Sequence, residues 1–317
     1  MTHDLTRRTL LLSSTLALAT RAQAAEFVNV LTGGASGVYY PMGVAFSQVL
    51  GQALPGVKVS VQSTKASAEN LNLLQAGRGE LAFTLGDALS SAWKGDADAG
   101  FKAPLNKLRG VAGIYPNYIQ IVASADSGIK TLADLKGRRI SVGAPKSGTE
   151  LNARAVLKAA GLGYGDFAKV EYLPFGESVE LMKNRQLDVT LQSAGLGVSA
   201  LRDLAAAMKI VVVEVPAAVV ARIGDAAYQP TSIPAHTYEG QDAAVASVAI
   251  QNFLVTREGV SDATVYAMTK ALWEHLHELA AAHAAGKAIG KAHALAGMPL
   301  PLHPGAVKYY REVGLLK

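Results

Sequence analysis

The chain has 317 residues and a formal net charge of +5 at pH 7, and its lysines and arginines are scattered rather than clustered. We therefore expect no nucleic-acid partner, since such proteins carry a basic patch or stripe. No cysteine is present, which excludes disulfide bonds, thiolate zinc sites and cysteine nucleophiles.

The N-terminus has the pattern of an export signal. Arg7 and Arg8 precede an uncharged run over residues 10–20, and a small-residue sequence ends at Ala24. The run is too short to cross a hydrocarbon core of about 30 Å. We therefore predict a cleaved signal peptide over residues 1–24 and a periplasmic location. Both a twin-arginine signal and a general secretory signal fit the paired arginines.

The rest of the chain alternates between short apolar runs and segments of helical periodicity. This alternation predicts an α/β fold with mostly parallel strand pairing. The predicted strands are residues 27–31, 57–61, 81–85, 139–142, 170–174, 187–192 and 210–215. The predicted helices are residues 38–50, 71–75, 151–160, 179–184, 201–208 and 263–285, with one more near the C-terminus.

Two long apolar stretches suggest how the chain divides. About 290 residues follow the signal, which is more than one core usually serves. We predict a first lobe of residues 25–112 and 250–317, with a second lobe of residues 124–244 inserted into it. The chain would cross between the lobes near residues 113–123 and 245–255, and bend there.

Four loops rich in glycine and hydroxyl residues follow predicted strands, at residues 33–37, 63–67, 147–149 and 193–195. A helix start presents unpaired N–H groups and about half a positive charge, so it can hold an anionic group without arginine. In open α/β sheets, ligands sit beyond the carboxyl ends of the strands. These loops therefore predict a cleft for a small anionic or zwitterionic solute.

Helix capping is the alternative explanation for the same loops. Ser147 and Glu150 have the spacing of a capping box, in which the serine caps the helix and the glutamate folds back on its start. Ser67 fits an ordinary N-cap. Tyr39, Tyr40 and Tyr115 could offer the cleft an apolar wall and a hydroxyl, or could simply pack in a lobe core. The predicted ligand-binding residues are Gly33, Gly34, Ser36, Tyr39, Tyr40, Ser67, Asn70, Tyr115, Ser147, Gly148, Thr149 and Ser193.

Catalytic motifs are missing from the sequence. Neither Ser36 nor Ser147 lies in a Gly-x-Ser-x-Gly elbow, and there is no Walker A loop or dinucleotide fingerprint. The histidines at 277, 283 and 293 lack the spacing of a zinc site, and we expect them on solvated helix faces. We therefore expect no enzymatic activity, metal or cofactor. A periplasmic hydrolase with two α/β lobes is the alternative from another class.

Several segments together resemble the TAXI family, the solute-binding subunits of tripartite ATP-independent periplasmic (TRAP) transporters. The most specific are a Gly-Gly…Tyr-Tyr-Pro segment, a Ser-Gly-Thr-Glu segment and a His-Pro-Gly-Ala segment. The matching segments are residues 32–43, 114–116, 144–150, 233–238 and 301–312. The resemblance covers nearly the whole chain after the signal.

The resemblance implies a type II periplasmic-binding-protein fold, with two α/β lobes around a ligand cleft. It also implies a glutamate-like or other small carboxylate solute, held by the loop at residues 33–40 and the loop at 147–149, and a TRAP-type membrane carrier as partner. We expect a monomer without cofactor. Asn117 stands where the family usually has an acidic residue, and Lys146 where glycine is common. These two departures leave open whether the solute is glutamate. His303 and Tyr309 are expected to pack within a lobe.

Two other receptor functions fit the same sequence. A solute-binding protein of an ABC transporter would use the same fold, similar loops and the same export signal. A receptor that feeds a sensor kinase would transport nothing. The genes beside this one would distinguish a TRAP carrier from an ATPase.

Overall fold

The computed structural model describes residues 27–317, so the predicted signal peptide and its cleavage site lie outside the described residues. Within that range, one sheet and ten α-helices form the fold. The strands are β1 Phe27–Leu31, β2 Lys58–Gln62, β3 Leu81–Leu85, β4 Leu108–Ser124, β5 Arg139–Ser141, β6 Lys169–Glu171, β7 Val189–Ala194, β8 Ile210–Val213, β9 Gln229–Ile233 and β10 Val245–Arg257. The helices are α1 Tyr39–Ala53, α2 Ser67–Gln75, α3 Gly86–Lys94, α4 Gly148–Ala159, α5 Phe175–Lys183, α6 Ser199–Ala207, α7 Ala217–Ile223, α8 Asp262–Glu274, α9 Leu276–Ala282 and α10 Pro304–Glu312.

The strand order is β2-β1-β3-β10-β4-β7-β5-β6, with β8 beside β4 and β9 beside β10. Parallel pairing is confined to β2-β1-β3 in one half of the sheet and β7-β5-β6 in the other. The two long strands pair antiparallel with each other and with every other neighbour. The predicted α/β class, with two lobes around a cleft, is confirmed. The prediction of mostly parallel pairing is wrong, because β4 and β10 run in opposite directions between the two parallel groups.

These two long strands carry the chain from one half of the sheet to the other. They pair with each other from Leu108 opposite Arg257 to Tyr118 opposite Ala249, with register shifts along the way. Beyond Tyr118, β4 continues beside β7 and β8, and the first residues of β10 pair with β9. This course coincides with the crossovers expected near residues 113–123 and 245–255. The lobe boundaries themselves stay a prediction, which the course of these strands supports.

Side chains from successive strand positions enter two hydrophobic cores, one on each face of the sheet. On β3, for example, Leu81 and Phe83 join one core, whereas Ala82 between them joins the other. Strands covered on both faces have nearly continuous apolar sequences, which is why they were recognised from the sequence. Each large aliphatic side chain buried in this way contributes about 1.5–3 kcal/mol.

The helix predicted over residues 263–285 is wrong as a single element. The chain leaves helical geometry at His275, where φ is −128° and ψ is 37°, and resumes as α9. The break lets α9 pack against α1, with Leu279 fully buried. Among the described residues, no helix has the length and apolar character needed to cross a membrane.

The last motif lies within the fold, as expected. His303 and Tyr309 are each only 2% exposed. The His303 Nδ1 accepts a hydrogen bond from the Gly305 N–H at 3.2 Å, so this histidine caps α10. This arrangement confirms the packing role predicted for both residues.

Candidate ligand-binding site

A cavity of about 190 Å³ lies where the two halves of the sheet meet. It is lined by residues at the carboxyl ends of all six strands of the two parallel groups. This is the position at which open α/β sheets bind their ligands. The four loops predicted to form a cleft therefore all contribute residues to the lining of one cavity.

The loop after β1 joins the two sides of the cavity directly. Its turn is closed by a hydrogen bond from the Gly37 N–H to the Gly34 carbonyl at 3.0 Å. The Ser36 hydroxyl accepts a hydrogen bond from the Gly176 N–H at 3.0 Å, and the Ser36 carbonyl accepts one from the Ser199 hydroxyl at 3.0 Å. Ser36 thus lines the cavity while connecting the β1 loop to the starts of α5 and α6.

The loop after β2 is held in place by the buried side chain of Asn70. The Asn70 amide donates to the carbonyls of Thr32, at 2.7 Å, and Phe83, at 2.9 Å. Its Oδ1 accepts a hydrogen bond from the Thr64 hydroxyl at 2.6 Å. Asn70 therefore positions the loop and does not itself line the cavity. Ser67 is not the N-cap of α2, since its hydroxyl instead accepts a hydrogen bond from the Leu85 N–H at 3.2 Å.

Helix α4 begins at the cavity wall. The Ser147 hydroxyl accepts a hydrogen bond from the Glu150 N–H at 3.1 Å and so caps the helix, as predicted. Glu150 does not fold back to complete a capping box: its carboxylate pairs with Arg154 at 2.7 Å and accepts a hydrogen bond from the Tyr164 hydroxyl. The cap and the helix geometry leave the N–H groups of Gly148 and Thr149 without a partner in the helix.

The start of α4 lies tightly against the other side of the cleft. A Cβ atom placed on Gly148 would come within 2.5 Å of Leu85 Cδ1 and 2.6 Å of the Ser67 hydroxyl oxygen. In addition, the Glu69 N–H donates to the Lys146 carbonyl at 3.3 Å. Together with the bonds of Ser36, these contacts show that the cleft is closed in this structure.

The floor of the cavity is formed by β4 and β7. The Asn117 amide donates to the Ser193 carbonyl at 2.8 Å, and its Oδ1 accepts from the Asn252 amide at 2.8 Å. Asn252 in turn accepts a hydrogen bond from the Tyr39 hydroxyl. Tyr39 therefore presents its ring to the cavity, while its hydroxyl is engaged in the floor.

Two buried hydroxyl groups at the cavity have no hydrogen-bond partner among the described residues. They belong to Tyr115, which is fully buried, and Ser193, which is 4% exposed. Burial raises the pKa of Tyr115, so its hydroxyl stays neutral and can donate. Because buried polar groups are nearly always hydrogen-bonded in native proteins, both groups are candidates to contact a ligand.

The structure brings together ten of the twelve predicted ligand-binding residues. Those that line the cavity are Gly33, Gly34, Ser36, Tyr39, Ser67, Tyr115, Ser147, Gly148, Thr149 and Ser193. Tyr40 and Asn70 do not line it. Tyr40 follows Tyr39 on α1, and successive helical positions point about 100° apart, so only one of the pair can face the cavity.

Other lining residues were not predicted as ligand contacts. Phe175 and Pro174 lie between β6 and α5, at the same kind of strand-to-helix transition as the predicted loops, and that signal could have found them. Lys65 carries the one charged side chain of the lining, at an exposed position. It lies in the loop at residues 63–67, which the sequence predicts at the cleft, but it is not among the predicted contacts.

The described part of the chain contains no cluster of three or more histidine, aspartate or glutamate side chains that could hold a metal ion. His283, for example, uses its Nδ1 to accept a hydrogen bond from the Ala285 N–H at 3.1 Å. The chemistry available at the cavity is thus that of hydroxyl groups, helix starts and one ammonium group. This set suits the binding of an anion.

Residues 30–314 match the sequence model of the family described as NMT1-like. The chain belongs to the NMT1-like family. This family match covers all the strand-end loops that line the cavity. The narrower resemblance to the TAXI family stays a prediction.

Two solved structures share the fold of this NMT1-like protein. The alkanesulfonate-binding protein SsuA from Xanthomonas axonopodis pv. citri, bound to MOPS, is 16% identical, with 92% of each chain covered and a TM-score of 0.50. PhnD1 from Prochlorococcus marinus MIT 9301, in complex with methylphosphonate, is 11% identical, with 92% of this chain and 99% of that chain covered and a TM-score of 0.59. At such identities, the likeness shows the periplasmic-binding-protein fold alone.

Proposed function

We propose that the protein is a periplasmic solute-binding receptor that closes two lobes on a small anionic solute. The observation that carries this proposal is the cavity in the closed cleft. Residues from both halves of the sheet line it, and two of them, Tyr115 and Ser193, have buried hydroxyl groups without a partner among the described residues. A cavity of this size is unusual in a close-packed core, because protein interiors leave few voids larger than a water molecule.

The charge of the lining supports an anion. Helices α2 and α4 begin at the cavity, and each helix start carries about half a positive charge. The side chain of Lys65 adds a full positive charge, and no carboxylate lines the cavity. Both solved structures described above have names that point to anionic solutes, an alkanesulfonate and methylphosphonate.

Closure by hinge bending accounts for the contacts across the cleft. Ser36 bonds both Gly176 and Ser199, and Glu69 bonds Lys146, in each case between the two predicted lobes. Asn152 and Tyr228 also donate hydrogen bonds to Asp87 across the same two predicted lobes, so opening the cleft breaks these bonds as well, while β4 and β10 absorb the change in direction. Solute would bind in the open form and shift the population towards the closed form.

Native mass spectrometry and small-angle scattering test this function. Protein purified gently should carry a small molecule that denaturation releases, and removing it should increase the radius of gyration. Adding the molecule back should restore the smaller radius. A radius that is unchanged by saturating solute would contradict the closure mechanism, and a failure of any small molecule to bind would contradict the receptor function.

We propose a TRAP-type membrane carrier as the partner. The support is the resemblance of five segments to the TAXI family and the pattern of an export signal at the N-terminus. Solute uptake by cells should then stop when an ionophore collapses the ion gradient and persist when cellular ATP is lowered. The reverse result would favour an ABC transporter. N-terminal sequencing of the periplasmic protein should begin at Ala25, and a protein that begins at Met1 would contradict export with cleavage.

A further inference from the structure

We infer that the solute is an anion without an ammonium group, so that the cavity takes a small carboxylate, sulfonate or phosphonate and discriminates against the amino acid of the same shape. This inference rests on the proposed receptor function and narrows its solute class. It depends on the balance of donors and acceptors around the cavity, which can be followed residue by residue.

Acidic side chains near the cavity lie outside its lining. The Glu69 carboxylate accepts a hydrogen bond from the Lys65 backbone N–H at 2.6 Å. Glu150 forms an ion pair with Arg154 at 2.7 Å. Asp87 lies outside the lining, and its Oδ2 accepts hydrogen bonds from Asn152 and Tyr228, whereas its Oδ1 has no partner among the described residues. No carboxylate is therefore placed to pair with an ammonium group of the solute.

Several backbone carbonyls of the lining are also occupied. An ammonium group brings three N–H donors, and each needs an acceptor once water is excluded. The carbonyl oxygens of five lining residues already accept hydrogen bonds from other residues. These bonds are Ser63 Oγ to Gly33 O at 2.9 Å, Ser199 Oγ to Ser36 O at 3.0 Å, Ser147 N to Ala144 O at 3.1 Å, Asn117 Nδ2 to Ser193 O at 2.8 Å and Gln120 Nε2 to Ala194 O at 3.0 Å.

Donors, in contrast, are available around the cavity. The hydroxyls of Tyr115 and Ser193 have no partner in the described chain, and the first N–H groups of α4 at Gly148 and Thr149 have none within the helix. The Lys65 ammonium makes no ion pair with another described residue. Hydrogen bonds from these donors to an anionic oxygen are charge-assisted, and such bonds are roughly twice as strong as neutral ones.

At the floor of the cavity, Asn117 offers no free hydrogen-bond acceptor for an ammonium group. It is 3% exposed, and both ends of its amide are in use, towards Ser193 and Asn252. An aspartate at this position would keep the acceptor for Asn252 but place its second oxygen towards the Ser193 carbonyl. That pair of acceptors would favour an ammonium group between them. Asn117 is therefore a specificity-determining residue.

The cavity volume sets the size of the solute. A cavity of about 150 Å³ in another protein holds benzene, so the volume here, about 190 Å³, suits roughly six to ten non-hydrogen atoms. Many amino acids and their deaminated analogues fall in this range. Size alone therefore does not exclude amino acids, and the polar lining has to do so.

Matched pairs of compounds test the inference on the mature protein after its bound molecule has been removed. The pairs are ethanesulfonate and taurine, 4-methylpentanoate and leucine, and glutarate and glutamate. At least one amine-free compound should raise the melting temperature and bind about tenfold or more tightly than its partner, since an unpaired buried donor costs about 1–3 kcal/mol. The pairs also distinguish a sulfonate from a carboxylate head group.

Each other result has a definite meaning. An amino acid that binds as tightly as its amine-free partner overturns the inference and leaves the receptor function standing. An amine in the molecule released from gently purified protein does the same. Absence of binding throughout the panel, together with no released molecule, overturns both the inference and the receptor function.

Asn117→Asp provides a second test, with Asn106→Asp as a control that adds the same charge at an exposed position. Asn117→Asp should shift the ratio of the two affinities towards the amino compound by about tenfold. The control should leave the ratio unchanged. An unchanged ratio in a folded Asn117→Asp protein would overturn the specificity role of Asn117.

Discussion

Gly148→Ala separates closure of the cleft from folding of the lobes. Gly148 is the first residue of α4, and an added Cβ would lie 2.5 Å from Leu85 Cδ1, 2.6 Å from the Ser67 hydroxyl oxygen and 3.0 Å from Ser67 Cβ. Both neighbours belong to the other predicted lobe. The substitution therefore introduces a clash that exists only when the cleft is closed.

The size of the effect follows from these distances. Carbon atoms in favourable contact lie about 3.5–4.0 Å apart, so the lobes would have to separate by about 1 Å. Local relief is limited, because Leu85 is 2% exposed and the Ser67 hydroxyl is held by the Leu85 N–H. Overpacking of this kind costs about 1–3 kcal/mol, which corresponds to a loss of affinity of about 5- to 150-fold.

Calorimetric titration with the tightest-binding amine-free acid, beside thermal melts without solute, measures the two effects. Affinity should fall by this factor, while the melting temperature of the free protein should change little, since the open cleft has room for the methyl group. Gly51→Ala is the matched control, because Gly51 lies on α1 with nothing within 4 Å of an added Cβ. Wild-type affinity in Gly148→Ala would refute the closed geometry, and an equal loss in Gly51→Ala would refute its assignment to the cleft.

Three other substitutions probe the charges and hydroxyls of the fold. Tyr115→Phe should weaken binding about tenfold or more, because a hydrogen bond to a charged group contributes about 1.5–3 kcal/mol, and titration beside melts of the free protein would expose a merely structural role. Lys65→Met should weaken binding by up to about fivefold and reduce the dependence of the affinity on ionic strength. Titrations at low and high salt would show whether the Lys65 charge attracts the solute. Burial raises the pKa of Asp87 to about 6. The folded state therefore favours the protonated carboxyl group, and the stability of the fold that this group contributes below about pH 4 is lost as the pH rises to about 6. Urea unfolding between about pH 4 and 6 should show that the free energy of unfolding declines by about 3 kcal/mol in the wild-type protein and that Asp87→Asn removes this decline. The same pH dependence in both proteins would contradict the assignment to Asp87.

Elements buried on both sides were the easiest to predict from the sequence. β3 is apolar throughout, except for Thr84, and its predicted bounds are confirmed. β9 was missed, because it is mostly exposed beside β10 and carries no apolar run. α3 was missed because it begins at Gly86, directly after β3 ends at Leu85, without a loop to mark the change.

Within the site, the sequence located loops better than side chains. Glycine and serine near a helix start have a local meaning, and Ser147 caps α4 as its spacing predicted. Asn70 does not line the cavity, because its amide donates to the carbonyls of Thr32 and Phe83, a contact that no local pattern indicates.

By itself, the sequence determined the alternation of the buried strands with helices, the loops at the strand ends and the helix cap, since each depends on residues close together in the chain. Only the tertiary structure decided the antiparallel course of β4 and β10, the break at His275 and the closure of the cleft. It also decided that two lining carbonyls are occupied: the Ser199 hydroxyl donates to the Ser36 carbonyl across 163 residues, and the Asn117 amide donates to the Ser193 carbonyl across 76. Local periodicity cannot encode such pairings, because they form only when separate parts of the chain pack together and exclude water.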